Sequence, residues 1–179
     1  MTALKQEIAQ QRPFTSREEE AMLNLLRSAD CLQRAFQQKL RPWGVTATQY
    51  NVLRILRGAQ PQGLTCTAIG NRMITAVPDI TRLLARLKAM KLIRQRRDRH
   101  DRRIVWTQIA GSGLALLGQM DPVVQLTHKE MLAHLGAAKL EQLIGLLEEA
   151  RSQIVGEPEP AGGTADTPGG DAENAARQS

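Results

Sequence analysis

The stretch IRQRRDRHDRRIVWTQ, residues 93–108, puts six arginines and two aspartates into the ten positions 94–103. It sets them between Ile93 on one side and Ile104, Val105 and Trp106 on the other. A run this charged cannot enter a core, while its apolar flanks gain by leaving water. A hairpin satisfies both. Residues 93–96 form one strand and residues 104–109, rich in β-branched and aromatic side chains, form a better one. The connecting RDRHDR, 97–102, carries two aspartates at turn-compatible positions. The flanks anchor the strands to a body, and the tip is held out in solvent. Guanidiniums crowded in this way repel one another, and a polyanion relieves that repulsion.

The charge of the rest of the chain supports the same expectation. The net charge is +6, but residues 156–179 hold five acids and one base, which leaves +10 on residues 1–155. Residues 72–103 alone hold eleven Lys/Arg against three Asp, so most of the excess sits in one segment. Such concentration is the footprint of a nucleic-acid surface; a merely solvated basic face is the competing reading. The 179 residues suggest one domain, over 16–155, with appendages. The Pro- and Gly-rich 156–179 is expected to be a disordered tail, and 1–15 a flexible arm. Cys31 and Cys66 lie 35 positions apart, which matches no metal or redox spacing. The start of the chain lacks a signal-peptide apolar core, and no stretch is long enough to span a membrane. These features predict a cytoplasmic protein with no membrane partner, no metal and no cofactor.

The body reads as mostly helix. Ser16 with Glu19 forms a capping box, followed by a stripe of Met22, Leu25, Ala29, Leu32, Phe36 and Leu40 that Pro42 and Gly44 end. Thr46 with Gln49 forms a second box, before Tyr50, Leu53 and Leu56. After a loop over 58–63, Thr65 caps a short helix carrying Ile69 and Met73. A second helix then shows Val77, Ile80, Leu84 and Leu87 on one face, with Pro78 in its first turn. Its other face holds Thr75, Asp79, Arg82 and Arg86. Two such helices make a helix-turn-helix. Beyond the hairpin, Leu114, Leu117, Val124, His128, Met131 and Leu135 form one stripe, with a kink expected at Pro122. Leu140, Leu143, Ile144, Leu147, Ala150 and Ile154 form another. The fold expected is mostly α with a small β-hairpin wing: a winged helix-turn-helix, with its core at about 46–110, between long flanking helices.

No catalytic constellation, phosphate-binding glycine loop or H-E-x-x-H appears, so the chain reads as a binding protein and not an enzyme. His128, on an apolar stripe, is expected to be packed and hydrogen-bonded. His134 lies six positions on, which puts the two on opposite faces and makes a shared metal a poor fit.

The order of these elements, and above all PDITRLLARLKAMKLIRQRRDRHDRRIVWTQIAGSGLALL (78–117), resembles the MarR family of bacterial transcriptional regulators. TRLLARL resembles the family's recognition helix, and Asp98-x-x-Asp101-Arg-Arg103 its wing signature. The resemblance implies a homodimer joined through the first and last two helices, with Leu25, Leu32, Leu135, Leu140, Leu143, Leu147 and Ile154 at the interface. It implies a recognition helix in the major groove of double-stranded DNA, presenting Thr75, Pro78, Asp79, Arg82 and Arg86. It also implies a wing in the minor groove, presenting Arg97, Arg99, His100, Asp101, Arg102 and Arg103, with Arg103 inserted and Asp101 orienting it. A small-molecule effector between the helices would be lined by Trp43 and His128. Two departures from the family pattern stand out. Lys91 occupies the place of a glycine before the wing, at a cost of roughly 1 kcal/mol if the backbone is left-handed. Ala110 occupies the place of a capping threonine, a loss of about 1 kcal/mol unless Ser112 substitutes.

Within this reading Arg82 or Arg86 pairs with a guanine, Asp79 accepts from a cytosine amine or orients Arg82, and Thr75 serves mainly as a helix cap. A two-fold dimer would favour a palindromic operator, and the regulator would be a ligand-responsive repressor. Two alternatives stay open: a winged helix bound non-specifically to nucleoid DNA or RNA, and an interaction module for an acidic protein.

Overall fold

A computed structural model of the chain describes residues 3–154. The tail expected to be disordered, 156–179, lies outside them. The chain divides into two compact units, residues 1–134 and 135–179.

The first unit opens with a short helix, α1 (Ala3–Glu7), within the segment expected to be an arm; its Leu4 is buried. Helix α2 (Arg17–Leu40) starts where Ser16 accepts the N–H of Glu19 at 3.1 Å. The carboxylate of Glu19 reaches one residue further back than a capping box requires, accepting from the backbone N–H and the hydroxyl of Thr15. A 3-10 turn over Arg41–Trp43 and a left-handed Gly44 (φ 66) end the helix. Helix α3 (Ala47–Gly58) has the full capping box of Thr46 and Gln49. Thr65 caps α4 (Cys66–Gly70), and Asp79 caps α5 (Ile80–Ala89).

The chain leaves α5 through a Schellman turn. Lys91 N–H donates to Lys88 C=O at 2.9 Å and Leu92 N–H to Leu87 C=O at 3.0 Å, with Lys91 left-handed at φ 60. Leu87 and Leu92, the apolar pair of such a motif, are both buried. The turn delivers the chain into β1 (Ile93–Arg97), which pairs antiparallel with β2 (Val105–Ile109) in the register Ile93↔Ile109 to Arg97↔Val105. Leu64 adds one bridge to Thr107 through two backbone hydrogen bonds of 2.9 and 2.8 Å. Helix α6 (Gly111–Leu132) follows and runs on through Pro122. Ala110 stands at its start without a side-chain cap. Ser112 does not substitute; its hydroxyl donates to the carbonyl of Lys91, which ties α6 to the turn before the wing.

The core of this unit joins Leu40, Val45, Val52, Leu53 and Leu56 to Ile69, Leu84 and Leu87, then to Ile93, Ile109, Leu117 and Met120. Arg57 and Asp121 lock α3 to α6 with contacts of 2.6 and 3.3 Å. The adjoining carboxylate holds the Arg57 guanidinium above its ordinary pKa. Nothing in the sequence reading anticipated this pair. The second unit contains helix α7 (Gly136–Ser152), none of whose residues is buried. Among the described residues no helix is long and apolar enough to cross a membrane, and no cluster of His, Cys, Asp and Glu is placed to hold a metal.

Candidate nucleic-acid interface

Helices α4 and α5 form the helix-turn-helix, and the hairpin forms the wing. The apolar face of α5, Leu84 and Leu87, is buried in the core, which leaves Arg82 and Arg86 exposed one turn apart on the other side. Thr75 lies in the exposed turn before α5 and caps nothing; the cap is Asp79, whose carboxylate accepts the backbone N–H of Arg82 at 2.8 Å. Asp79 therefore fixes the helix start and does not hold the Arg82 guanidinium. Pro78 precedes the cap and is not in the first helical turn; Val77 too lies outside the helix. The Asp won because its short carboxylate, one residue from the first helical position, reaches the orphan N–H groups better than a residue further back.

The wing tip is organised by Asp98, part of the wing signature but not among the residues expected to meet DNA. One of its oxygens accepts the backbone N–H groups of His100 (2.8 Å) and Asp101 (3.2 Å); the other accepts the indole N–H of Trp106 (2.9 Å). These bonds favour the charged carboxylate and hold its pKa down to about 2. Asp98 N–H also donates to Ile104 C=O, and Ile104 N–H to Asp101 C=O, closing the arch. Asp101 accepts the backbone N–H of Arg103 at 2.8 Å, so it shapes the chain at Arg103 and makes no contact with that guanidinium. Arg97, Arg99, His100, Arg102 and Arg103 are all exposed. Arg96 lies over the Trp106 ring at 6.0 Å.

All three acids between residues 72 and 103 are thus occupied by backbone or indole N–H groups. Among the described residues the ion pairs are Arg17–Glu20, Arg27–Glu7, Arg34–Asp30, Lys39–Glu130 and Arg57–Asp121; none uses a cation of that segment. None of its eleven Lys/Arg forms an ion pair with a described carboxylate, and eleven cations less three aspartates leave the segment a net charge of +8.

The other expected sites are elsewhere. His128 is exposed and not packed into the interior; its ring stacks on Phe36 at 5.6 Å, and Phe36 meets Tyr50 edge-on at 5.9 Å. Trp43 is half-buried against the core. Leu25 and Leu32 on α2 are exposed, together with Met22 and Leu26. In the second unit Leu135, Leu140, Leu143 and Leu147 are half-buried, and Ile154 lies just past the end of α7.

A helix-turn-helix followed by a hairpin whose tip bristles with unpaired cations defines a winged-helix protein of the DNA-binding type. The model of the MarR family matches residues 43–104. The crystal structure of a MarR transcription factor from Planctomyces limnophilus is 35% identical, with 76% of this chain and 99% of that one covered at a TM-score of 0.60. The chain belongs to the MarR family, whose members are DNA-binding transcriptional regulators and not enzymes. The HTH-type transcriptional regulator TtmR of Methylorubrum extorquens (strain PA1) is 35% identical over 94 residues, 52% of this chain; the chain spans 47% of that protein's length. Bordetella bronchiseptica BpsR, whose DNA binding is regulated by 6-hydroxynicotinic acid, is 25% identical at a TM-score of 0.66, with 73% of this chain and 98% of that one covered.

Proposed function

We propose that this chain is a sequence-specific, homodimeric repressor that binds an inverted repeat in duplex DNA and is released by a small-molecule effector. The observation that carries the reading is a cationic segment none of whose Lys/Arg is held in an ion pair among the described residues. Eleven Lys/Arg lie within 32 residues on the hairpin, the adjoining helix α5 and the turns that flank that helix, while the three acids among them accept from N–H groups. Phosphate is the counter-charge such a surface lacks. In this reading α5 enters the major groove, where Arg82 and Arg86 meet base edges. The wing lies along the adjacent minor groove with Arg103 inserted, and Arg97, Arg99, His100 and Arg102 line the phosphates. The exposed leucines of α2, and separately the apolar positions of α7, support self-association. A two-fold dimer then sets half-sites about 10 base pairs apart. The regulation of BpsR by a small aromatic acid supports an effector, and Trp43 and His128 are the lining candidates here.

Selection of bound duplexes from a random pool across a salt series tests the proposal. The expected result is an enriched inverted repeat whose preference over random duplex persists as salt rises. Affinity without enrichment would mean a backbone-only binder, and no duplex binding would leave the acidic-protein reading. With the selected duplex, Arg103→Ala should weaken binding at least tenfold, the equivalent of about 1.4 kcal/mol; unchanged affinity would remove the wing from the account.

A further inference from the structure

We propose that Ile74 is a specificity-determining residue that reads thymine, by packing its aliphatic side chain against the C5-methyl group in the major groove. The inference rests on the DNA-binding reading above and adds a base contact that no arginine supplies. Ile74 is 85% exposed, the highest exposure among the large hydrophobic residues left in water. A single exposed aliphatic residue has no meaning by itself. Its surroundings give this one a meaning. It stands in the turn that joins α4 to α5, and its backbone is not free: the Ile74 N–H donates to the side-chain oxygen of Asn51 on α3 at 3.1 Å. The turn before it is closed by Arg72 N–H to Ile69 C=O and Met73 N–H to Gly70 C=O. The side chain is therefore presented outward from a fixed base.

The neighbours on the chain matter as much. Thr75, Ala76 and Pro78 are exposed and uncharged, while Arg72 and Arg82 flank the group. An uncharged, apolar island inside a cationic surface gains nothing from phosphate. Base edges in the major groove offer it one apolar group, the thymine methyl. The island adjoins the start of α5, the end of a recognition helix that approaches base edges.

The test uses the full-length chain and the duplex recovered by the selection above. Each thymine of one half-site is replaced in turn by deoxyuridine, which removes the methyl and leaves the hydrogen-bonding edge unchanged. At one thymine the wild type should lose about fourfold in affinity, equivalent to roughly 0.8 kcal/mol for one buried methyl-sized group. The Ile74→Ala variant should bind the two duplexes with a ratio below about twofold. Ile74→Val, which keeps the branched carbon, should fall between, and it serves as the readout if the alanine variant melts differently from wild type. The inference is overturned if every deoxyuridine duplex binds the wild type as well as thymine does. It is overturned equally if Ile74→Ala stays as sensitive as wild type. Failure of the underlying reading looks different: the selection would return no enriched sequence at all.

Discussion

Replacing Lys91 with glycine should stabilise the protein. Lys91 is the left-handed residue of the Schellman turn that ends α5, at φ 60, where a Cβ crowds the backbone. That conformation costs a non-glycine residue roughly 1–2 kcal/mol. Glycine relieves it but gives the unfolded chain more freedom, which takes back about 0.4–1 kcal/mol. The net gain is about 1 kcal/mol, or a rise of about 2–4 °C in Tm for a chain of this size. The Lys91 side chain is exposed and forms none of the side-chain hydrogen bonds or ion pairs among the described residues, so little else changes. Lys91→Ala is the decisive control, because it removes the same charge and keeps the Cβ. Thermal denaturation by circular dichroism should show the glycine variant above wild type and the alanine variant within about 0.5 kcal/mol of it. If both rise equally, relief of charge crowding beside the wing is the cause and the backbone reasoning is wrong. If the glycine variant falls, the turn is not strained.

Two further outcomes follow from the same part of the fold. Asp98 has its pKa lowered from 3.8 to about 2, so its contribution to wing order is complete above about 4 and disappears as pH falls through about 2. In a Trp43→Phe background, Trp106 fluorescence should hold steady from pH 7 to about 4 and change below it; Asp98→Asn should abolish that transition, and a flat wild-type signal counts against the indole bond. Glycines of α6 should respond with opposite signs. A Cβ at Gly113 would strike the backbone carbonyl of Leu92 and lie 2.9 Å from Ile109, so Gly113→Ala should cost about 1–3 kcal/mol in urea denaturation. A Cβ at Gly118 meets nothing, so Gly118→Ala should gain up to about 1 kcal/mol from helix propensity.

The parts of the fold legible in the sequence are those set by short-range physics. Thr46 with Gln49, Thr65, the Gly44 stop and the two strands of the wing each depend on residues within a few positions of one another. The left-handed Lys91 was legible through the family resemblance, which implies a glycine at that position, and not from the local sequence. Partnerships across long separations were not. Arg57 and Asp121 are 64 residues apart, and nothing local marks either as the other's partner. His128 was misplaced for a related reason: its stripe predicts a buried face, but of the stripe Leu117 and Val124 are buried and Leu114 is partly so, while His128 is left exposed and stacked on Phe36. Thr75 was misassigned because any of several polar residues before α5 could cap it, and the choice depends on where the first turn begins.

The acids of the basic segment carry the deeper reason that a cationic surface could be expected at all. All three between residues 72 and 103 are aspartate, and none is glutamate. A glutamate on α5 or the wing would reach a guanidinium three or four residues away and neutralise it. Aspartate can pair in the same way, as Asp30 does with Arg34 on α2, but the three aspartates here bond instead to N–H groups two or three residues on. Asp79 does so to Arg82, Asp98 to His100 and Asp101, and Asp101 to Arg103. Each acid thereby shapes the backbone of the cationic segment without pairing with a guanidinium. A segment with the same net charge but glutamates in those places would form a self-paired surface, with weaker caps and fewer cations free to meet phosphate. The placement of the acids at a cap and in turns, and not only the count of charges, is what leaves the arginines of this surface without ion-pair partners.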